Sequence, residues 1–196
     1  MKPEIEVKFV DIDIDEIRGR LEGLAAVCEQ PMRDMRRAVY EPDELAARDA
    51  FVRVRDEGDK VSLTYKQFEG RHLHSAKEIE TTVGSFEAAV QILEQLGFAP
   101  KSYQESRRET WRIDETEVVI DEWPHLRPYV EIEGISEEAV RTVASKLGFE
   151  WGLAVFGTVT SVYQLQYPKG DAAKLITCPR IEFGQPLPTI ISGETT

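Results

Sequence analysis

Charged side chains recur at alternate positions in several segments of the chain, and acids and bases occupy separate segments. The sequence carries Glu-x-Glu-x-Lys at 4–8, Arg-x-Arg at 53–55, and Glu-x-Glu pairs at 78–80 and 131–133, with Lys66, Arg108 and Asp121 elsewhere. Carboxylates without neighbouring His or Cys ligands suit hard cations such as Mg²⁺ or Mn²⁺. Clustered Arg and Lys side chains suit phosphate oxygens. Together these residue types predict a site for a metal-bound polyphosphate.

Strict alternation of polar and apolar residues predicts that these segments are β-strands with two different faces. In the first of them, Ile5, Val7 and Phe9 form one face, and Glu4, Glu6 and Lys8 form the other. If the sheet closes into a barrel with the charged face inward, helices cover the apolar outer face. Burying so many unpaired charges would be prohibitive, so the acids require a metal and the bases a polyanion. The alternative is a plain antiparallel sheet with cross-strand ion pairs, which would alternate in the same way.

The rest of the sequence supplies the elements that must position these residues. Three helices are predicted from Asp15 to Leu24, from Ser85 to Leu96 and from Ser136 to Leu147, each beginning at a capping side chain. The last two both end in Leu-Gly-Phe after a Glu-x-Glu strand, which indicates a weak internal duplication. Further strands are predicted at 36–40, 51–55, 61–66, 77–81, 104–113, 117–121 and 129–133, and a short strand or helix at 159–165.

Length and composition bound the class of protein. The 196 residues, 41% hydrophobic and 31% charged, fit one domain over 1–167, followed by an extended or disordered tail over 168–196 that is rich in Pro, Gly, Thr and Ser. No apolar run approaches the roughly 20 residues of a membrane span. The charged strand at the start of the given sequence leads us to expect no signal peptide, and Cys28 and Cys178 lie far apart, so a cytoplasmic protein with reduced thiols is expected. The net charge of −12 argues against nucleic-acid binding. A homodimer is compatible with this composition, but no apolar stripe requires one.

The ordered set of motifs resembles the CYTH superfamily, the triphosphate tunnel metalloenzymes, which includes class IV adenylyl cyclases, thiamine triphosphatases and inorganic triphosphatases. The opening Glu-x-Glu-x-Lys is the hallmark of that group. The resemblance covers about residues 1–165 and continues through the following motifs: Arg53-x-Arg55, Thr64-x-Lys66, Glu78-x-Glu80, Arg108-Glu109-Thr110-Trp111, Asp121 and Glu131-x-Glu133-Gly134.

This resemblance implies a fold and a set of site residues. The fold would be α+β, a closed antiparallel β-barrel forming a tunnel of about eight strands with flanking helices. The triphosphate-binding residues would be Lys8, Arg53, Arg55, Lys66 and Arg108. The ligands of one or two Mg²⁺ or Mn²⁺ ions would be Glu4, Glu6, Asp121, Glu131 and Glu133. Glu78 and Glu80 would form an acidic wall beside them, and either of these, or Lys8, would assist the attacking nucleophile.

Three departures from the family pattern bear on the choice of substrate. The family often has Lys where this chain has Ser106, and Arg107 is expected to compensate by joining the triphosphate ligands. Arg127-Pro128-Tyr129 replaces the usual Gly-Phe before the last acidic pair, and 33–48 lacks the usual Asp-x-Tyr-Phe-Asp stretch.

The activity favoured by these residues is metal-dependent hydrolysis of an inorganic or organic triphosphate with release of phosphate. A class IV-type adenylyl cyclase, which would convert ATP to cyclic AMP and pyrophosphate, uses the same charged lumen and stays open as an alternative. A non-catalytic polyphosphate- or nucleotide-binding module is a further alternative, although binding anions alone would need only the bases.

Overall fold

The structure is a computed structural model that describes residues 2–3, 5–70, 72–73 and 76–193. Within these residues, nine strands form one antiparallel sheet in the order β1-β6-β5-β4-β3-β7-β8-β9-β2, and a short tenth strand pairs in parallel with β7. The α+β class is therefore confirmed. The strands are β1 Lys2–Pro3, β2 Ile5–Val10, β3 Val27–Tyr40, β4 Ala50–Asp56, β5 Val61–Phe68, β6 Ala76–Val83, β7 Ser102–Ile113, β8 Thr116–Glu122, β9 Tyr129–Gly134 and β10 Arg180–Ile181.

Both ends of the strand order belong to the N-terminal segment. β1 pairs with β6, and β2 pairs with β9. Among the described residues no ladder joins β1 to β2, so hydrogen bonds do not close the sheet and the predicted closed barrel is not confirmed. Val155 instead forms an isolated bridge with Lys8, in which the two backbones exchange hydrogen bonds of 2.9 Å each.

In the part of the chain that the structure describes, six α-helices accompany the sheet. They are α1 Ile14–Gly23, α2 Asp43–Ala46, α3 Phe86–Gln95, α4 Glu137–Lys146, α5 Val159–Gln166 and α6 Thr189–Ser192, with 3₁₀ helices at Trp151–Leu153 and Ala172–Thr177. The predicted caps Ser85 and Ser136 are confirmed, since their hydroxyls accept from Ala88 N and Ala139 N. α1 begins earlier than predicted, because Asp13, not Asp15, accepts from Glu16 N at 3.0 Å.

The apolar outer face of the sheet is buried under helices. α4 lies over β2, β8 and β9, where Val140, Val143 and Leu147 join one core cluster with Val7 and Ile132. α3 packs on β4, and its residues Phe86, Ala89 and Val90 contact a second cluster that includes Ala38 and Tyr40. Because side chains alternate across a strand, this packing directs the intervening charged residues to the other face of the sheet.

The C-terminal segment differs from the prediction. Residues 172–192 form a 3₁₀ helix, β10 and α6, and Leu175, Ile181 and Ile191 are buried. These side chains pack in a third cluster with Trp123 and Tyr129. The expected extended or disordered tail is therefore wrong for these residues, because scattered apolar side chains in a Pro- and Gly-rich segment anchor it to the sheet.

No helix within the described part of the chain is long and apolar enough to cross a membrane.

Candidate functional site

A cavity of about 440 Å³ lies on the charged face of the sheet. It brings together nearly all the site residues predicted from the sequence. Those that line it are Glu6, Lys8, Arg53, Arg55, Lys66, Glu78, Glu80, Arg108, Glu131 and Glu133. Glu4 lies outside the described residues.

The wall formed by β2 and β9 pairs its acids and bases. Lys8 Nζ lies 2.9 Å from Glu131 and 3.4 Å from Glu6, and Lys66 Nζ lies 3.5 Å from Glu6. Burial alone would lower the pKa of Lys8, but Glu131 and Glu6 raise it above its usual value. Burial would likewise raise the pKa of Glu131, yet Lys8 and Arg108 hold it well below the usual range. Both side chains are therefore charged at neutral pH.

Asp121 lies behind this wall and does not line the cavity. It is 1% exposed, and its two oxygens accept from Arg108 Nε and Nη2 at 2.7 and 2.6 Å. Arg108 also lies 3.6 Å from Glu131. Burial opposes the charge on Arg108, but Asp121 and Glu131 raise its pKa well above the ordinary value. In this geometry Asp121 holds Arg108 in the cavity wall.

The opposite wall, formed by β3 and β4, is predominantly basic. Arg53 and Arg55 reach Glu80 only at 3.8 and 4.0 Å, and the nearest carboxylate to Arg55 is Glu57 at 2.6 Å. The pKa of Arg53 falls to about 10, first through burial and then through the charge of Arg55. Glu80 also accepts a 2.8 Å hydrogen bond from Thr64. Arg53 is therefore poorly neutralised by the protein, whereas Arg55 is paired with Glu57.

Arg37 is a site residue that the sequence analysis missed. It lies on β3, is 7% exposed and lines the cavity, and its guanidinium stacks over the Trp123 ring at 4.3 Å. Its Nη2 donates to the Ser106 hydroxyl. Family members often have a lysine at the position of Ser106. In this chain the guanidinium of Arg37, from the neighbouring strand β3, contacts Ser106 instead.

Arg107 does not line the cavity, which corrects the expectation that it compensates for Ser106. Its neighbour Arg108 points inward, so Arg107 lies on the opposite face of β7. There it is exposed, pairs with Asp34 at 2.9 Å and stacks over Phe183.

The acidic residues fit a hard cation in their chemistry. Glu6 and Glu133 are direct cross-strand partners on β2 and β9, where like charges destabilise the pair unless a cation lies between them. Lys8 and Lys66 now supply cations to Glu6. Within the described residues, which exclude Glu4, no three His, Cys, Asp or Glu side chains already converge as a metal site.

Apolar side chains also line the cavity. The rings of Phe51 and Phe68 are stacked with centroids 6.4 Å apart, and Trp123, Val159 and Leu175 also line the cavity. Leu175 belongs to the C-terminal segment and Val159 to α5, so both of these regions help to shape the cavity. The arrangement can hold a polyanion together with an attached organic group.

The CYTH domain family matches residues 2–157, so the chain belongs to the CYTH family. Members of this family are triphosphatases or adenylyl cyclases, they bind triphosphates, and the triphosphate tunnel metalloenzymes use divalent metal ions. The predicted membership is therefore confirmed. A comparison with curated proteins gave no match.

Solved structures of similar fold come from archaea, bacteria and a plant. The PH1012 protein of Pyrococcus horikoshii OT3 is 23% identical with a TM-score of 0.66, over 77% of this chain and 93% of that one. A Vibrio parahaemolyticus protein, named as a candidate adenylate cyclase, is 11% identical with a TM-score of 0.71, over 82% and 97%. A Hippeastrum protein, named as a candidate adenylyl cyclase with a dominant triphosphatase activity, is 14% identical with a TM-score of 0.53, over 80% and 91%. At these identities the likeness shows the fold alone.

Proposed function

We propose that the protein is a divalent-metal-dependent enzyme that hydrolyses a triphosphate and releases phosphate. The observation that carries this proposal is the single cavity in which Arg53, Arg55, Lys66 and Arg108 face the carboxylates of β2, β6 and β9. The bases suit a polyphosphate, and the acids suit a hard cation. Membership of the CYTH family supports the same combination.

We propose further that the sheet acts as a closed tunnel. Its two edges are the adjoining strands β1 and β2, which are one residue apart in the chain. Covalent continuity therefore brings the edges together, and the Val155 bridge to Lys8 covers part of the seam.

Each group has a distinct role in this proposal. Lys8, Arg53, Arg55, Lys66 and Arg108 bind the non-bridging oxygens and neutralise the charge that develops during phosphoryl transfer. Glu6, Glu131 and Glu133, with Glu4, hold Mg²⁺ or Mn²⁺, while Asp121 orients Arg108. When bound, the metal supplies Lewis-acid stabilisation of phosphoryl oxygens. Glu78 or Glu80, on β6, or Lys8 orients the attacking water. A carboxylate of Glu78 or Glu80 accepts its proton, because Lys8 is already protonated.

A second candidate is favoured by the apolar part of the cavity. Inorganic triphosphate would leave Phe51, Phe68 and Leu175 without a ligand contact, whereas an organic triphosphate would cover them. An adenylyl cyclase, in which the ribose hydroxyl attacks the α-phosphorus, is the form of this candidate that releases pyrophosphate.

Glu133→Gln tests the metal assignment. Glu133 is half-buried, and Gln keeps its shape while removing the charge that a hard cation requires. We expect turnover of triphosphate to fall at least about tenfold and the Mg²⁺ or Mn²⁺ requirement to rise. Glu138→Gln, an exposed position in the first turn of α4, is the matched control and should behave as wild type. Full turnover with an unchanged metal titration in Glu133→Gln would contradict the assignment.

A further inference from the structure

Arg37 is a buried cation without a carboxylate partner among the described residues. The other cations that line the cavity, namely Lys8, Arg53, Arg55, Lys66 and Arg108, each have an ion pair within 4.0 Å. Arg37 has only the Ser106 hydroxyl and the Trp123 ring, and its Nε has no hydrogen-bond partner in the described part of the chain. A buried donor left unpaired in this way is costly.

The charges that surround Arg37 are positive. Arg37 and Arg55 are direct partners in the β3–β4 ladder, and like charges in that arrangement destabilise a sheet. Burial, followed by the charges of Arg55, Arg53 and Arg108, lowers the pKa of Arg37 well below its ordinary value. Asp121 offsets this in part, but its carboxylate is already paired with Nε and Nη2 of Arg108.

The contacts of Arg37 offset the cost of its charge only in part. The Trp123 ring attracts the guanidinium through a cation–π contact. An unbranched apolar side chain of similar length would keep the packing and lose that attraction, but it would avoid the cost of burying a guanidinium near three others. The ring itself is fixed from behind, because Trp123 belongs to the cluster formed with Leu175, Cys178 and Ile181 of the C-terminal segment. The guanidinium of Arg37, supported by the packed Trp123 ring, therefore lines the cavity although its burial lowers the stability of the fold.

We propose that Arg37 is an additional phosphate ligand, which binds non-bridging oxygens of the polyphosphate from the β3 wall, on the Trp123 side of the cavity. The inference rests on the proposed function in one respect only, namely that the cavity binds a triphosphate. A polyanion would pair with the free Nε and offset the repulsion among Arg37, Arg53 and Arg55.

Binding without turnover tests this role. Inorganic triphosphate is titrated calorimetrically in EDTA into the wild type, Arg37→Met, Arg37→Lys and Arg107→Met. Loss of one charge-assisted contact should weaken binding about 10- to 100-fold in Arg37→Met. Arg37→Lys keeps the charge but not the forked geometry, so its affinity for triphosphate should lie between those of the wild type and Arg37→Met. Arg107→Met, on the outer face of β7, should bind as wild type.

Thermal unfolding separates a ligand role from a structural one. Without ligand, Arg37→Met should melt a few degrees higher than wild type, because it relieves a buried and repelled charge. With triphosphate added, the rise in Tm should be smaller in Arg37→Met than in wild type.

Two outcomes would overturn the inference: unchanged triphosphate affinity in Arg37→Met, or equal weakening in Arg37→Met and Arg107→Met. A lower Tm with unchanged affinity would make Arg37 a structural residue. Arg37-dependent binding in a protein that turns over no triphosphate would refute the proposed enzyme while leaving this inference intact.

Discussion

The two walls of the cavity treat their charges in opposite ways. On the β2–β9 wall, Lys8 and Glu131 lie 2.9 Å apart, and Asp121 holds Arg108 from behind through two hydrogen bonds. On the β3–β4 wall, the buried Nε atoms of Arg37 and Arg53 have no hydrogen-bond partner among the described residues, and burial, followed by the charges of neighbouring arginines, lowers the pKa values of both groups. The first wall pairs its charges within the protein, whereas Arg37 and Arg53 of the second have no carboxylate within hydrogen-bond distance in the described part of the chain.

This difference distinguishes charged residues that stabilise the fold from charged residues that are available to bind a ligand. Removing one member of a neutralised pair leaves an uncompensated buried charge, which is strongly destabilising. Removing a buried cation whose neighbours are mostly cations, as at Arg37, is instead expected to relieve the folded state and to weaken binding. The same type of residue, arginine, is thus expected to give opposite changes in stability on the two walls.

The largest expected effect is on the neutralised wall. Arg108→Met leaves Asp121, which is 1% exposed, without a cation and should lower the free energy of unfolding by about 3–5 kcal/mol. Urea denaturation measures this loss. Adding Asp121→Asn to Arg108→Met removes the stranded charge, so the double variant should recover part of the stability. A loss below about 1 kcal/mol in Arg108→Met would break the contrast between the two walls.

A smaller effect is expected behind Trp123, where the C-terminal segment supports the basic wall. Leu175 is 1% exposed, so Leu175→Ala should cost about 3 kcal/mol through lost burial and a residual cavity. Ile190→Ala is the control in the same segment, because Ile190 is 39% exposed and its truncation should cost under about 0.5 kcal/mol. Equal, small losses in both variants would show that the segment does not stabilise the fold.

The smallest effect concerns a neutralised pair outside the cavity. Glu109 accepts from Arg18 and from the Trp111 indole, each at 2.7 Å, and these partners lower its pKa although burial opposes them. A lowered carboxyl pKa gives stability that is present above the unfolded value of about 4.5 and is lost as the pH falls through the folded value. In Glu109→Gln the free energy of unfolding should therefore fall less steeply as the pH is lowered through the acid range. The slope should decrease by at most about 1.4 kcal/mol per pH unit, and urea denaturation at a series of pH values measures it. An unchanged slope would show that ionised Glu109 does not stabilise the fold.

Much of the fold could be predicted from the sequence because its strands have two chemically distinct faces. The strands predicted from alternation at 51–55, at 129–133 and over the described part, 5–9, of the segment 4–9 are confirmed, and Ser85 and Ser136 were recognisable caps. The C-terminal segment could not be predicted in this way. Its buried residues follow no period of 2 or 3.6, since they contact the sheet through short helices and turns.

The site could be predicted except where two arginines are adjacent. Arg36-Arg37 and Arg107-Arg108 each place one guanidinium on either face of the sheet, and only the strand register decides which one enters the cavity. Ala38 and Tyr40 pack under α3, which directs Arg37 inward and Arg36 towards Glu87. Val39, in the opposite phase, is equally apolar, so the sequence could not decide between the two alternations.

Product analysis tests the central claim of this account most directly. The wild-type protein is offered inorganic triphosphate, thiamine triphosphate and ATP separately, with Mg²⁺, with Mn²⁺ or with EDTA, and the products are separated by chromatography. The proposed function predicts metal-dependent release of orthophosphate from at least one triphosphate, with no product in EDTA. Cyclic AMP and pyrophosphate from ATP would establish the cyclase alternative in its place. No turnover of any of the three with either metal would contradict the enzyme and leave a polyphosphate-binding module.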